Sequence, residues 1–551
     1  MIIRSFSAVR HKLFFCVLIF LGAVACPRPA KAGGVTIITH GFELESSFPT
    51  WVAAMADSIP NYFQARFPGV DTNCATYKLT ITNLDDAFYY VTPTRVNGSP
   101  PSGTESGEII IELDWTALSG DLFDDYASTS NVAFAVTQIL LATNSFPELN
   151  GRPAIELPIH LIGHSRGGSL MAQISYDLGT NGVWTDHLTT LDPYPINNDG
   201  NDDFPALVTD APAEYTYSSV LFADNYWQDL GVGAFLGDPD GEPVAGAYVR
   251  QLYDLLGGYW NVSGEDAPDH SNVHLWYYGT VDLATPASDT GATITSTERT
   301  SWWVRTEERG TNAGFEYSLI GGGNRLSTNE PVGPGFYAIV DGYNQHWDLG
   351  AGTRAANRNA LATNSGTWPN IIKFDVIGTN IVTTGQPIAA QFYYQYGGAD
   401  ENVAATFYLD SDFNPYNSND ISVAQISLPR TGAQSVYSDT LNLATTNIAP
   451  GLYALYGRIS DGTHTRYLYA PELVEIAAQQ PPTLGNITLN GTEFVLTVSG
   501  TASETIVIQA STDLQNWFSI ETNTLSTGTW NYTNTIPPNA DKQFYRAVLV
   551  P

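Results

Sequence analysis

Over residues 33 to about 285, short apolar runs alternate with stretches of helical periodicity. The runs are Val35-Thr36-Ile37-Ile38, Ile109-Ile110-Ile111-Glu112-Leu113, Ile159-His160-Leu161-Ile162 and His187-Leu188-Thr189-Thr190-Leu191. Between them fall Trp51 to Phe63, Asn131 to Leu141 and Gly168 to Leu178. A nearly continuous apolar run has no polar face to give to water, so strands of this kind are covered on both sides, and a parallel sheet between helices does that. The alternation predicts an α/β domain with a mostly parallel sheet and its own core. Ligand sites in such sheets lie at the carboxyl ends of strands. His40, Ser165 and Asp192 all fall at such ends.

The rest of the chain reads differently. From about 286 to 367 the pattern blurs, and SWWVRTEERG and FEYSLIGGGNR look like short strands with turns, an appendage of the first domain. From 368 to 478 alternation, turn clusters and aromatic or β-branched content predict an all-β sandwich. AAQQPP, at 477 to 482, reads as a linker, and residues 483–551 as a last β-module. At the other end, residues 1–32 combine basic residues (Arg4, Arg10, Lys12), an apolar stretch from Leu13 to Ala25 and the small-residue site Ala30-Lys31-Ala32. That is the pattern of a secretory signal peptide, with cleavage after Ala32 and an extracellular chain. Cys16 and Cys26 would leave with it, so Cys74 remains alone and no internal disulfide forms. The formal net charge is −33, and loss of the leader makes the chain more acidic still. Such a surface repels nucleic acid and anionic membranes. No segment beyond the leader is long and apolar enough to be an integral membrane span.

HLIGHSRGG carries the chemical signal. Chance supplies roughly a third of a Gly-x-Ser-x-Gly match per chain of this size, so the weight rests on context. An apolar strand ends at Gly163, and Leu170, Ile174 and Leu178 then recur at helical spacing. Gly163 and Gly167 let the backbone turn sharply and the helix approach the strand. Ser165 is thereby lifted to the top of a sheet, in front of a helix N-terminus, where a nucleophile belongs. Asp192, in TTLDPYP, follows the next strand and is the candidate acid. Of the histidines downstream, His270 and His274 in APDHSNVHLWYY are the candidates for the base. His270 is favoured by a place on a loop just before a helix, and His274, one turn into it, is the alternative. THGF offers a second oxyanion donor: the Phe42 N–H would join that of Arg166, the residue after the serine.

These motifs in this order resemble the secreted neutral lipases of pancreatic type. IITHGF with Trp51 is similar to that family's oxyanion loop and next helix. IIIELDWTAL resembles its Val-Asp-Trp strand end. Tyr126, Ala127 and Asn131 resemble a Tyr-x-x-Ala-x-x-Asn helix start. HLIGHSRGG, TTLDPYP and DHSNVHLWYY resemble its nucleophile, acid and histidine motifs. The resemblance implies an α/β-hydrolase domain (33–285) with Ser165, Asp192 and His270 as triad, acting on an ester or lipid substrate with no cofactor required. An amide hydrolase is the alternative within the same chemistry; a binding or adhesion protein with a non-catalytic hydrolase-like domain is the alternative outside it. Arg166 replaces a usual leucine, and its side chain is expected to alter what binds. Residues 222–268 are the candidate lid. The C-terminal part resembles the immunoglobulin-like and terminal β-modules of secreted bacterial proteins, for which surface or polymer binding is expected.

Acidic loops add a metal expectation. Asp410, Asp412 and Asn414 place oxygen ligands at alternate positions, as calcium loops do, although the glutamate and flanking helices of an EF-hand are missing. INNDGNDDF (Asp199, Asn201, Asp202, Asp203) is a second candidate.

Overall fold

The computed structural model describes residues 33–43, 47–66, 74–85, 88–98, 108–120, 127–149, 151–198, 208–230, 239–252, 255–265, 267–284, 291–302, 314–320, 358–361, 368–398, 402–432, 436–502, 504–535 and 542–550. The leader, the acidic loop at 199–203 and most of 286–367 lie outside them. Eight strands of the first part are β1 (Val35–Thr39), β2 (Ala75–Asp85), β3 (Phe88–Asn97), β4 (Ile109–Asp114), β5 (Ile159–His164), β6 (Thr185–Leu191), β7 (Val220–Trp227) and β8 (Tyr248–Gln251). They form one sheet in the order β3-β2-β4-β1-β5-β6-β7-β8. Every pairing is parallel except that of β3 with β2.

The four apolar runs became β1, β4, β5 and β6, and all four are buried along their whole length. β2 and β3 were not among the runs named, although the polar–apolar alternation of KLTITN is itself a strand signal. β7 overlaps the start of the 222–268 segment expected to be a lid and β8 lies within it, so part of that segment is sheet. Helices α1 (Thr50–Arg66), α2 (Thr116–Ser119), α3 (Thr129–Leu141), α4 (Arg166–Thr180), α5 (Pro268–Val281) and α6 (Ser296–Trp302) accompany the sheet. The crossover through α1 runs from β1 toward one edge; those through α3 and α4 run toward the other. Right-handed crossovers in opposite directions put the helices on opposite faces. Accordingly α3 packs on α4, and α1 on α5. The two stretches expected as short strands near 300 and 315 begin helically: Ser301 and Trp302 close α6, and Gly314–Tyr317 form a 3₁₀ turn.

From 370 on the described residues form strands and turns, with no helix among them. Strands Asn370–Val376, Ile388–Gln395 and Tyr437–Leu443 make one sheet of a sandwich. The other sheet has five strands, with Asn402–Asp410, Gly451–Ser460 and Thr465–Ala477 at its centre. Phe374, Phe392 and Phe407 fill the space between. This sandwich also completes the core of the first domain. Phe413, Tyr456, Tyr467 and Tyr469 belong to the same buried cluster as β1 and α1. Buried Arg466 donates to the Trp184 carbonyl (3.1 Å) and to Asn370 Oδ1 (3.0 Å), and Asn370 Nδ2 donates to the Gly182 carbonyl (2.9 Å). Arg152 stacks over Tyr416. Gly33, Arg152 and Trp184 precede β1, β5 and β6, so the sandwich docks at the amino ends of the strands. The expected self-contained core is in fact closed by the sandwich. The module from Thr483 folds around a separate core of Phe494, Leu496, Val498, Ile506, Ile508, Leu525 and Tyr532.

Candidate active site

The carboxyl ends of β1, β5 and β6 bring together the residues singled out in the sequence. Ser165 stands between β5 and α4 with φ 56° and ψ −129°, a left-handed region that costs a non-glycine residue roughly 1–3 kcal/mol. The neighbours leave little room for anything larger than hydrogen. A Cβ at Gly167 would overlap the His40 carbonyl, and one at Gly163 the Gly167 backbone. A Cβ at Gly41 would overlap the Ser165 side chain. The loop after β1 therefore lies directly against Ser165, as the oxyanion reading of Gly41-Phe42 requires. Arg166 is the first residue of α4, so its N–H points outward from a helix N-terminus, where backbone donors and the helix dipole favour negative charge.

Asp192 follows β6, also with positive φ (45°), and is fully buried. Its Oδ1 accepts from the Gln228 N–H (2.8 Å) and the Gly241 N–H (3.1 Å); its Oδ2 accepts from Gln228 Nε2 (3.0 Å). The same Oδ2 lies 2.6 Å from His270 Nδ1. His270 is on the first turn of α5 rather than on a loop before it; the helix starts at Pro268, whose fixed φ suits the first helical position. Burial pushes the His270 imidazole down to about 4, against a hydrogen bond to the Pro239 carbonyl, so the ring is neutral near pH 7. Burial raises the Asp192 carboxyl well above the usual range, against the three donors from Gln228 and Gly241.

His274 sits one turn on and does something else. Its ring stacks on Trp51 (4.2 Å between centroids) and is buried. Gln228 and Gly241 were not legible in the sequence, being 36 and 49 residues from Asp192 with no local pattern to mark them.

The Arg166 side chain corrects the expectation attached to it. It is buried and turned inward: Nε and Nη2 grip both oxygens of Asp210 at 2.7 Å, and Nη1 and Nη2 donate to the Ser119 (2.5 Å) and Ala127 (2.8 Å) carbonyls. Asp210 also accepts from the Thr129 and Ile196 N–H groups. This ion pair pins the segments around the site and does not face a ligand.

The calcium candidates Asp410, Asp412 and Asn414 lie against the first domain's amino-end face. Asp410 Oδ1 accepts from the Asp412 N–H, and its Oδ2 from the Tyr469 hydroxyl. Asp412 Oδ2 accepts from Asn417 and Asn419, and Asn414 Oδ1 from the Tyr416 N–H. Burial, with Asp412 and Asp420 nearby, pushes Asp410 up to about 7. Among the described residues no three His, Cys, Asp or Glu side chains converge as a metal site.

No protein-family model matches the chain, and no curated protein matches it in sequence. Solved structures with a partial likeness include a red sea bream transglutaminase (9% identity, TM-score 0.14, 34% of this chain and 32% of that one). Others are a tetra-tandem repeat from the extending region of a large adhesion protein (13%, TM-score 0.14, 32% and 48%) and the human OSCAR ligand-binding domain (10%, TM-score 0.14, 34% and 94%). This chain thus spans about a third of the transglutaminase and half of the tandem repeat. Among the described residues no helix is long and apolar enough to cross a membrane.

Proposed function

We propose that residues 33–285 form an α/β-hydrolase domain and that the protein is a secreted serine hydrolase of carboxylic esters, its leader removed after Ala32. The observation that carries this reading is the 2.6 Å His270–Asp192 hydrogen bond, beside Ser165, whose N–H donates to the carbonyl of Leu191, the residue before Asp192 (2.9 Å), and whose backbone is in a left-handed strand-to-helix turn. In the proposed reaction neutral His270 takes the Ser165 proton through Nε2 as Oγ attacks the acyl carbon. Asp192 holds Nδ1–H and stabilises the imidazolium that forms. The Phe42 and Arg166 N–H groups receive the oxyanion. The tetrahedral species collapses, and His270 returns the proton to the leaving alcohol. Water, deprotonated by the same imidazole, then releases the acid and frees Ser165. These steps draw on side chains and backbone alone.

The depressed His270 value suits a resting base that is neutral, and the buried carboxylate beside it offsets the charge acquired during turnover. The test is labelling of the full chain with a fluorophosphonate, followed by peptide mapping, alongside turnover of a p-nitrophenyl ester series. Modification of Ser165 with matching loss of turnover is expected. Turnover by a Ser165→Ala protein, or labelling at another residue, would refute the reading.

A further inference from the structure

The residue just before Ser165 has no part in the scheme above. His164 ends β5 and is buried. Its Nε2 lies 2.9 Å from the main-chain carbonyl oxygen of His270, 106 residues away. A carbonyl can only accept, so Nε2 carries the hydrogen and the tautomer is fixed. The His164 ring is 4.5 Å from the His270 ring and 4.7 Å from that of His274. His274 is in turn stacked on Trp51, whose edge meets His164 at 6.0 Å. His164 is therefore wedged between the base, its helix and α1, with one directed bond.

The start of α5 explains why such a bond matters. Its N-cap is Ala267, whose side chain makes no capping bond. An uncapped first turn frays, and here that turn carries the base. It is held from the side instead. Trp260 Nε1 donates to Asp269 (2.8 Å), Asp192 takes the His270 side chain, and His164 takes the His270 main chain. The Asp192 bond sets the ring's rotation. The His164 bond joins the His270 backbone directly to the residue that precedes Ser165.

We propose that His164 is a positioning residue, tying the first turn of α5 to the serine turn through Nε2–H and the His270 carbonyl and so setting the distance between base and nucleophile. This rests on the serine-hydrolase reading. The ångström scale of the effect predicts a rate loss of about 10²-fold when the tie is cut.

The experiment uses the full chain with His164→Phe, which keeps a ring and loses the donor, and His164→Gln, which keeps a donor at the reach of Nε2. kcat and KM on a short p-nitrophenyl ester, the fluorophosphonate labelling rate and the melting temperature are measured for each. His164→Phe is expected to lower kcat and the labelling rate about 100-fold with KM within a factor of about three, and His164→Gln to recover most of that loss. Wild-type rates in folded His164→Phe would overturn the proposal, as would an equal loss in folded His164→Gln. If His164→Phe does not fold, His164→Gln is compared with His164→Asn, whose donor stops short of the carbonyl; equal rates in those two would overturn it. Ser165→Ala separates the two ideas. Turnover by that variant removes the hydrolase reading itself, whereas an inactive Ser165→Ala beside an unimpaired His164→Phe removes only the tie.

Discussion

The two ends of the central sheet are built from the same strands, five to seven residues long in β1, β5 and β6, and differ in almost every other respect. At the carboxyl ends the backbone is strained at Ser165 and Asp192, and four histidines (His40, His164, His270, His274) are buried. At the amino ends the β-sandwich packs Phe413 and Tyr469 over β1 and α1, and Arg466 is bonded across the junction. Strained conformations persist only where the surroundings over-determine them. The strain is sustained by close glycine packing and the Arg166–Asp210 pair near the site, while the remote end supplies packing.

Individual groups at the two ends respond to pH with opposite sign, although the raised Asp192 carboxyl opposes the histidines at its own end. Burial holds His40 and His270 at about 4, below the ordinary 6.5, so the unfolded chain binds more protons over that interval. The stability that rests on these two neutral histidines is therefore lost as pH falls through it. At the amino end Glu108 accepts from the Gly34 N–H and the Thr36 hydroxyl, and burial raises it to about 8. Here the folded chain keeps a proton that the unfolded chain gives up, so stability is lost as pH rises from about 4.5 to 8.

Changes at the two ends should separate activity from stability. The largest expected effect is that of Ser165→Ala: ester turnover should fall on the order of 10⁶-fold while the melting temperature barely moves, measured by initial rates and calorimetry on one preparation. His270→Ala should lose activity on a similar scale. His274→Ala should act mainly through lost packing on Trp51, and a reversal of the two activities would move the base to His274.

At the other end, a chain stopped at residue 367 should fail to give a folded, active domain, because the surface that Phe413, Tyr469 and Arg466 cover would be bare. Circular dichroism and soluble-ester turnover check this, and an active, folded fragment would break the comparison. Arg466→Ala should cost about 3 kcal/mol in denaturant unfolding, with turnover per folded molecule unchanged, since it leaves buried acceptors without their donor.

Glu108→Gln should stabilise the protein above about pH 6 by a few kcal/mol and leave the acid-side loss intact, seen in melting curves across pH 4 to 9. The smallest effect is expected from ending the chain after Ala478. Removing the separately cored last module should leave soluble-ester turnover within about twofold, with any larger loss confined to dispersed or polymeric substrate.

The strand–helix alternation and the serine turn were legible because each is local, whereas Asp192 and His270, 78 residues apart, were named from their order in the chain and from the resemblance to known motifs. An apolar run, two glycines at fixed offsets and a helix period need no knowledge of distant residues. Ser165 could be named for that reason; the parallel sheet, which gathers strand ends at one edge, brings Asp192 beside it, and the first turn of α5 brings His270.

What only the tertiary structure decided involves partners far apart in the chain. Arg166 read as a ligand-facing side chain until Asp210, 44 residues on, took it inward. The Gln228 and Gly241 donors to Asp192 and the His164 bond to His270 also lie tens of residues or more from their acceptors. The core of the first domain read as complete in itself, yet it is closed by aromatic side chains from beyond residue 410. Periodicity records which face of an element is apolar; it carries nothing about which remote surface will cover that face. A buried charge likewise acquires its partner only when the folded chain brings one within hydrogen-bond reach.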